Sequence, residues 1–179
     1  MRSRTLVAGV LGGLVVFLWG MVSHMALPLG EVGISRLPDE AAVLAPLAAG
    51  VRAPGLYYFP WETDPAKWAE AVRTQPSGLL VFHPPGEPPA MVRYLGVELL
   101  TDVLGGLLMA FLLGASAATS ALSRVAFGAA LGAFASLAID FSYWNWYGFP
   151  SAYLAAQMVD QVVAWALAAL VAGWWLGRR

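Results

Sequence analysis

Cysteine is absent from all 179 residues. Its absence excludes disulfide staples, thiol catalysis and CxxC redox chemistry, and with them a membrane dithiol oxidoreductase of the four-helix kind. Charge is scarce too: 12% of residues are charged, against roughly a quarter in a soluble globular domain, and 59% are hydrophobic. A net charge of −1 with no block of like charges leaves nucleic-acid binding without an electrostatic basis. No GxSxG, HExxH, Walker or dinucleotide fingerprint occurs, and Ser23 and Ser77 lack any local nucleophile context.

What the chain does contain is long apolar stretches. Four runs reach the ~20 residues needed to cross a bilayer, at 6–27, 94–113, 121–144 and 152–176. The first follows Arg2 and Arg4 and so imitates a secretory leader. It is too long for that role, and its cleavage-like stretch Ser23-His24-Met25-Ala26 lacks small residues at both required positions, so it reads as a retained helix. Arg2, Arg4, Arg124, Arg178 and Arg179 fall at the two termini and in the second connection, all on one side. Positive charge in short flanks marks the cytoplasmic face, which puts both termini inside and residues 28–91 outside. The aromatic residues agree, with Tyr143, Trp144, Trp146 and Tyr147 at the outer interface and Trp174 and Trp175 at the inner.

Small residues recur every fourth position: Gly9 and Gly13; Gly106, Ala110 and Gly114; Gly128, Gly132 and Ser136. Such stripes let helix backbones approach closely in lipid. They suit packing inside one bundle, or less simply a homo-oligomer.

Residues 28–91 are too many for a plain connector. Asp39 and Glu40 before Ala41–Ala49 read as a capped short helix ending at Gly50, and Asp64-Pro65 opens a second. Gly55–Pro60 and Gly78–Pro84 read as strands, able to pair in parallel across that second helix. The expected fold is thus an all-α membrane protein: a four-transmembrane-helix bundle with a small α+β extracytoplasmic domain inserted between helices 1 and 2. One span, a large partly β external segment and three closely spaced spans is similar to the claudin-like tetraspan arrangement and to the sterol-isomerase type of four-helix membrane fold. The cysteine pair of the claudin signature is missing from that loop, so neither residues nor function carry over.

Four acids fall inside the spans: Glu98 and Asp102 in the second, Asp140 in the third and Asp160 in the fourth. A carboxylate in hydrocarbon costs at least ~2.5 kcal/mol on insertion scales, so these face a cavity, the bundle interior or a partner. Glu98 and Asp102 share one helix face. No Lys or Arg lies deep in a span to neutralise them, which leaves a proton or a bound cation to do so. Asp140 also suits a helix end, and Asp160, beside Gln157 and Gln161, a hydrogen bond to another helix.

The chain has two histidines. Met21, His24 and Met25 share a face at i, i+3 and i+4, a soft donor set suited to copper or another metal, and His83 ends the second expected strand. The leading expectation is a non-enzymatic scaffold or accessory subunit whose outer domain engages a protein partner or lipid. The alternative is a small-molecule or metal site in the outer half around Glu98, Asp102, His24 and His83, with catalysis left open. The bilayer is the one partner composition demands.

Overall fold

A computed structural model describes residues 3–178, which form two compact units. One joins the segment through Ile34 to Pro89–Asn145 and the residues from Phe149 on; the other is Ser35–Pro88 with Trp146–Gly148. Arg2 and Arg179, part of the basic flank, lie outside the described residues.

The first unit is built on long apolar helices: α1 (Ser3–Met25), α4 (Met91–Ala115), α5 (Ala121–Ala138) continued by α6 (Asp140–Tyr147), and α7 (Ser151–Gly177). Between α1 and α4 the chain forms a 3₁₀ turn at Leu29–Glu31, helices α2 (Glu40–Gly50) and α3 (Pro65–Thr74), and strands β1 (Gly55–Phe59) and β2 (Gly78–Phe82). Counting α5 and α6 as one span, four helices are long and apolar enough to cross a membrane, as an integral membrane protein requires.

Local chemistry accounts for the helix ends. Ser120 and Ser123 form a reciprocal capping box at the start of α5: the Ser120 hydroxyl accepts from the Ser123 amide, and the Ser120 amide donates to the Ser123 hydroxyl. The third span does not run as one regular helix to Trp144. It breaks at Ile139, where the Ser136 hydroxyl donates to the Asp140 carboxylate at 2.6 Å, and resumes to Tyr147. No Pro or Gly marks that break.

Within this unit α1 and α7 are central. α1 packs on α4 and α7, α7 packs on α5, and α4 touches α5 only slightly. The close crossings are made by glycines. A Cβ on Gly13 would lie 2.5 Å from the Val103 Cα and 2.6 Å from the Asp102 carbonyl oxygen, and one on Gly106 would meet the backbones of Gly9 and Gly13. Gly128 and Gly132 play the same part against the Trp165 and Gln161 carbonyls of α7. The four-residue stripes thus serve packing within one chain, except at Gly114, where a side chain would meet nothing within 4 Å. The core of Ala8, Met109, Ala110, Leu113, Ala168, Ala169 and Ala172 follows from these contacts. It occupies the half of the unit nearest Arg4, where the Arg4 guanidinium also donates to the Trp175 and Leu176 carbonyls at 3.4 Å.

In the second unit, Asp39 caps α2 by accepting from the Ala42 amide, and Asp64 caps α3 by accepting from the Ala66 and Lys67 amides. The strands pair antiparallel, with Gly55 opposite Phe82 and Phe59 opposite Gly78. This corrects the parallel pairing expected from the strand–helix–strand order. Parallel sheets need both faces covered. Here the cross-strand partners Leu56 and Val81 are each 67% exposed, and a sheet with an open face takes the antiparallel form.

Candidate functional site

The tight α1–α4 contact ends where its small residues end. Beyond Gly13 on α1 come Val16, Phe17 and Trp19; before Asp102 on α4 come Glu98 and Leu95. Beyond these bulkier side chains the helices part, Gly20 of α1 is left without a close neighbour, and α7 does not fill the gap. The result is an open cleft of about 460 Å³ between α1, α4 and α7. Gly20 of α1 shows the separation directly, since a side chain there would meet nothing within 4 Å.

Three carboxylates and one imidazole line this cleft: Glu98 and Asp102 from α4, Asp160 from α7 and His24 from α1. No Lys or Arg is among the lining residues, and the one salt bridge among the described residues, Arg73–Glu70, belongs to the other unit. At 1.5 Å per residue Asp102 lies about 16 Å from the start of α4, and Asp160 about 13 Å from the start of α7. With the starts of α4 and α7 at the edge of a ~30 Å hydrocarbon layer, the cleft would reach about halfway through it.

Each polar group is held in a definite way. The Trp19 indole N–H donates to the Asp160 carboxylate at 2.7 Å, joining α1 to α7. The Trp165 indole donates to the Gln161 side-chain oxygen at 3.0 Å, and its ring lies against Gly105 of α4 at the cleft floor. His24 Nδ1 lies 3.1 Å from the Gly20 carbonyl oxygen and 2.9 Å from the Ser23 hydroxyl. A carbonyl only accepts, so a bond to Gly20 needs the proton on Nδ1. The ring edge bearing Nε2 rests against Gly30 of the 3₁₀ turn.

Of the residues singled out in the sequence, Glu98, Asp102, Asp160, His24, Met21 and Met25 all line the cleft. Asp140 does not, since it serves the α5–α6 break, and His83 follows β2 in the second unit. Among the described residues no three His, Asp or Glu side chains come together as a metal-binding group. Sequence reasoning missed Phe17, Trp19 and Trp165, and named Gln161 only as a neighbour of Asp160. The signal for the two tryptophans was present: Trp in spanning helices concentrates at the membrane interfaces, and one placed mid-span needs a partner for its N–H.

Comparison with protein-family models, with curated proteins and with solved structures returns no match. The cleft's chemistry alone carries the functional argument.

Proposed function

We propose that this integral membrane protein binds a small organic cation in the cleft between α1, α4 and α7. The observation that carries the reading is that Glu98, Asp102 and Asp160 line one cavity with no Lys or Arg among its lining residues. Uncompensated carboxylates at that depth call for a positive partner. Phe17, Trp19 and Trp165 add aromatic faces, which attract cations by ~0.5–2 kcal/mol each, most where water is excluded. A volume of about 460 Å³ falls in the range of small-molecule sites, and Met21 and Met25 supply adaptable apolar walls. An organic cation fits this lining better than a bare metal ion, which needs a tight oxygen or nitrogen shell.

The test is thermal unfolding of the purified protein with benzyltrimethylammonium, set against neopentylbenzene, its neutral carbon isostere. At a hundredfold excess over Kd the cation should raise the melting temperature by about 5–10 °C, and the isostere should do nothing comparable. Asp102→Asn should reduce the effect about tenfold in concentration. Equal shifts from both compounds, or none from either, would sink the reading. The accessory-subunit reading retains one supporting observation, the exposed Leu56–Val81 pair. A flat cation titration together with stoichiometric copurification of a partner would put it first.

The same proposal sets the cleft mouth, and the small α+β segment between α1 and α4, on the extracytoplasmic side. Arg4, Arg124 and Arg178 support it by sharing the opposite end of the helices. Because native cysteine is absent, single substitutions report cleanly. In intact cells Lys67→Cys should react with a membrane-impermeant maleimide, and Ser120→Cys only after permeabilisation. The reverse pattern would invert the orientation.

A further inference from the structure

A second groove, of about 350 Å³, lies at the Arg4 end between the first turn of α5 and the last turns of α7. Its lining is Ala121, Arg124, Leu170, Trp174, Gly177 and Arg178, which means two guanidinium groups and no carboxylate. We infer that this groove binds the headgroup phosphate of an anionic phospholipid. The inference does not depend on the cation cleft, which lies in the other half of the helices.

Both guanidinium groups are fixed by partners that leave their charge in place. Arg124 donates from Nη1 to the Gly173 carbonyl at 2.5 Å and from Nε to the Ala118 carbonyl at 3.2 Å. Arg178 stacks over the Trp174 ring, 4.0 Å from its centroid. A helix C-terminus carries about −0.5 charge and by itself would repel a phosphate. Two full positive charges outweigh that, and Arg4 and Arg124 already occupy carbonyls at Gly173, Trp175 and Leu176. Guanidinium donors match phosphate oxygens in pairs.

The apolar part of the groove identifies the source of the phosphate. Leu170 and Trp174 are exposed, and Leu170 lies one helical turn deeper along α7 than Trp174. A free phosphate would leave them uncovered, whereas an acyl chain attached to the headgroup would lie along them. The two-arginine lining also selects the class of lipid. The ammonium of a choline headgroup would face two guanidinium groups with no carboxylate in the lining to receive it. Basic pockets at the ends of spanning helices bind anionic headgroups in this way.

The experiment is native mass spectrometry of the full-length protein released from nanodiscs containing equal phosphatidylglycerol and phosphatidylcholine, with inorganic phosphate as a separate arm. Wild type should retain one phosphatidylglycerol with about tenfold preference over phosphatidylcholine. Arg178→Gln, which leaves the Arg124 anchorage intact, should cut that preference about fivefold, and Arg178→Lys should restore part of it. Equal retention of the two lipids, or an unchanged preference in Arg178→Gln, overturns the proposal. So does displacement of the lipid by inorganic phosphate at matched concentration, which would make the groove a soluble-anion site.

Discussion

Gly106→Leu is expected to destabilise the bundle severely, with much of the protein aggregating on extraction. A side chain at Gly106 would run into the Gly9 carbonyl oxygen and the Gly13 backbone, and a rotamer change moves neither. The α1–α4 crossing must then open. Because lipid is as apolar as the side chains, that crossing is held by close packing rather than by a hydrophobic driving force. Opening it strips contacts from Ala8, Met109, Ala110 and Leu113, all in the core cluster. Overpacking a well-filled core costs ~1–3 kcal/mol when side chains can adjust, and more where backbone opposes backbone. Against a total stability of ~5–15 kcal/mol, that suffices to aggregate much of the protein on extraction. Gly114→Leu is the matched control: same helix, same substitution, open surroundings, and an expected change within ~0.5 kcal/mol. Detergent-solubilised yield, monodispersity and helical melting should separate the two variants. Equal melting temperatures for Gly106→Leu and wild type would show that the α1–α4 crossing is not what holds the bundle.

The glycine stripes could be read from sequence because spacing alone defines a face. The four spans were legible for a similar reason, since long uncharged runs have few other solutions. The short helices between α1 and α4 were announced by Asp39 and by Asp64-Pro65, whose capping chemistry is local. Long-range choices left weaker marks. The strand–helix–strand order is compatible with either pairing direction, and only the open face at Leu56 and Val81 favours the antiparallel one. The break at Ile139 carries no Gly or Pro, and its mark is the Ser136–Asp140 bond, which suits a continuous helix equally well. The acids of the cleft were visible one by one as improbable residues in lipid. Their grouping was not, because Trp19 and Asp160 meet across 141 positions of chain and period analysis gives faces, not partners. Asp140 was legible as a helix-end residue, and Asp160 as one that bonds another helix, which it does through Trp19 of α1. One is spent on a helix break and the other faces the cleft, a difference set by where α5 bends.

Glu98→Lys should move stability and binding in opposite directions, which few substitutions outside a binding site would do. In the unliganded protein three carboxylates share one cleft with no Lys or Arg among its lining residues. Replacing Glu98 removes one of them and sets an ammonium one turn from Asp102, at i,i+4 on α4. The gross attraction at about 5 Å is ~3 kcal/mol for an effective dielectric constant of 20. Glu98 is exposed and Asp102 half-buried, so screening and side-chain ordering reduce the net gain to about 1 kcal/mol. For a chain of this size that is a rise of about 2–4 °C in melting temperature without ligand. Binding should respond far more strongly. An incoming cation would lose one carboxylate, meet a like charge and compete with an internal ion pair for Asp102. A loss of about a hundredfold in affinity, ~2.8 kcal/mol, is expected, enough to erase the melting shift produced by benzyltrimethylammonium. Glu98→Gln should fall between the two, with a small gain in stability and a loss of about tenfold in affinity. A Glu98→Lys protein that melts below wild type would show that the carboxylates are not in mutual conflict. If its cation-induced rise persisted in full, the ligand would have to sit elsewhere than against α4.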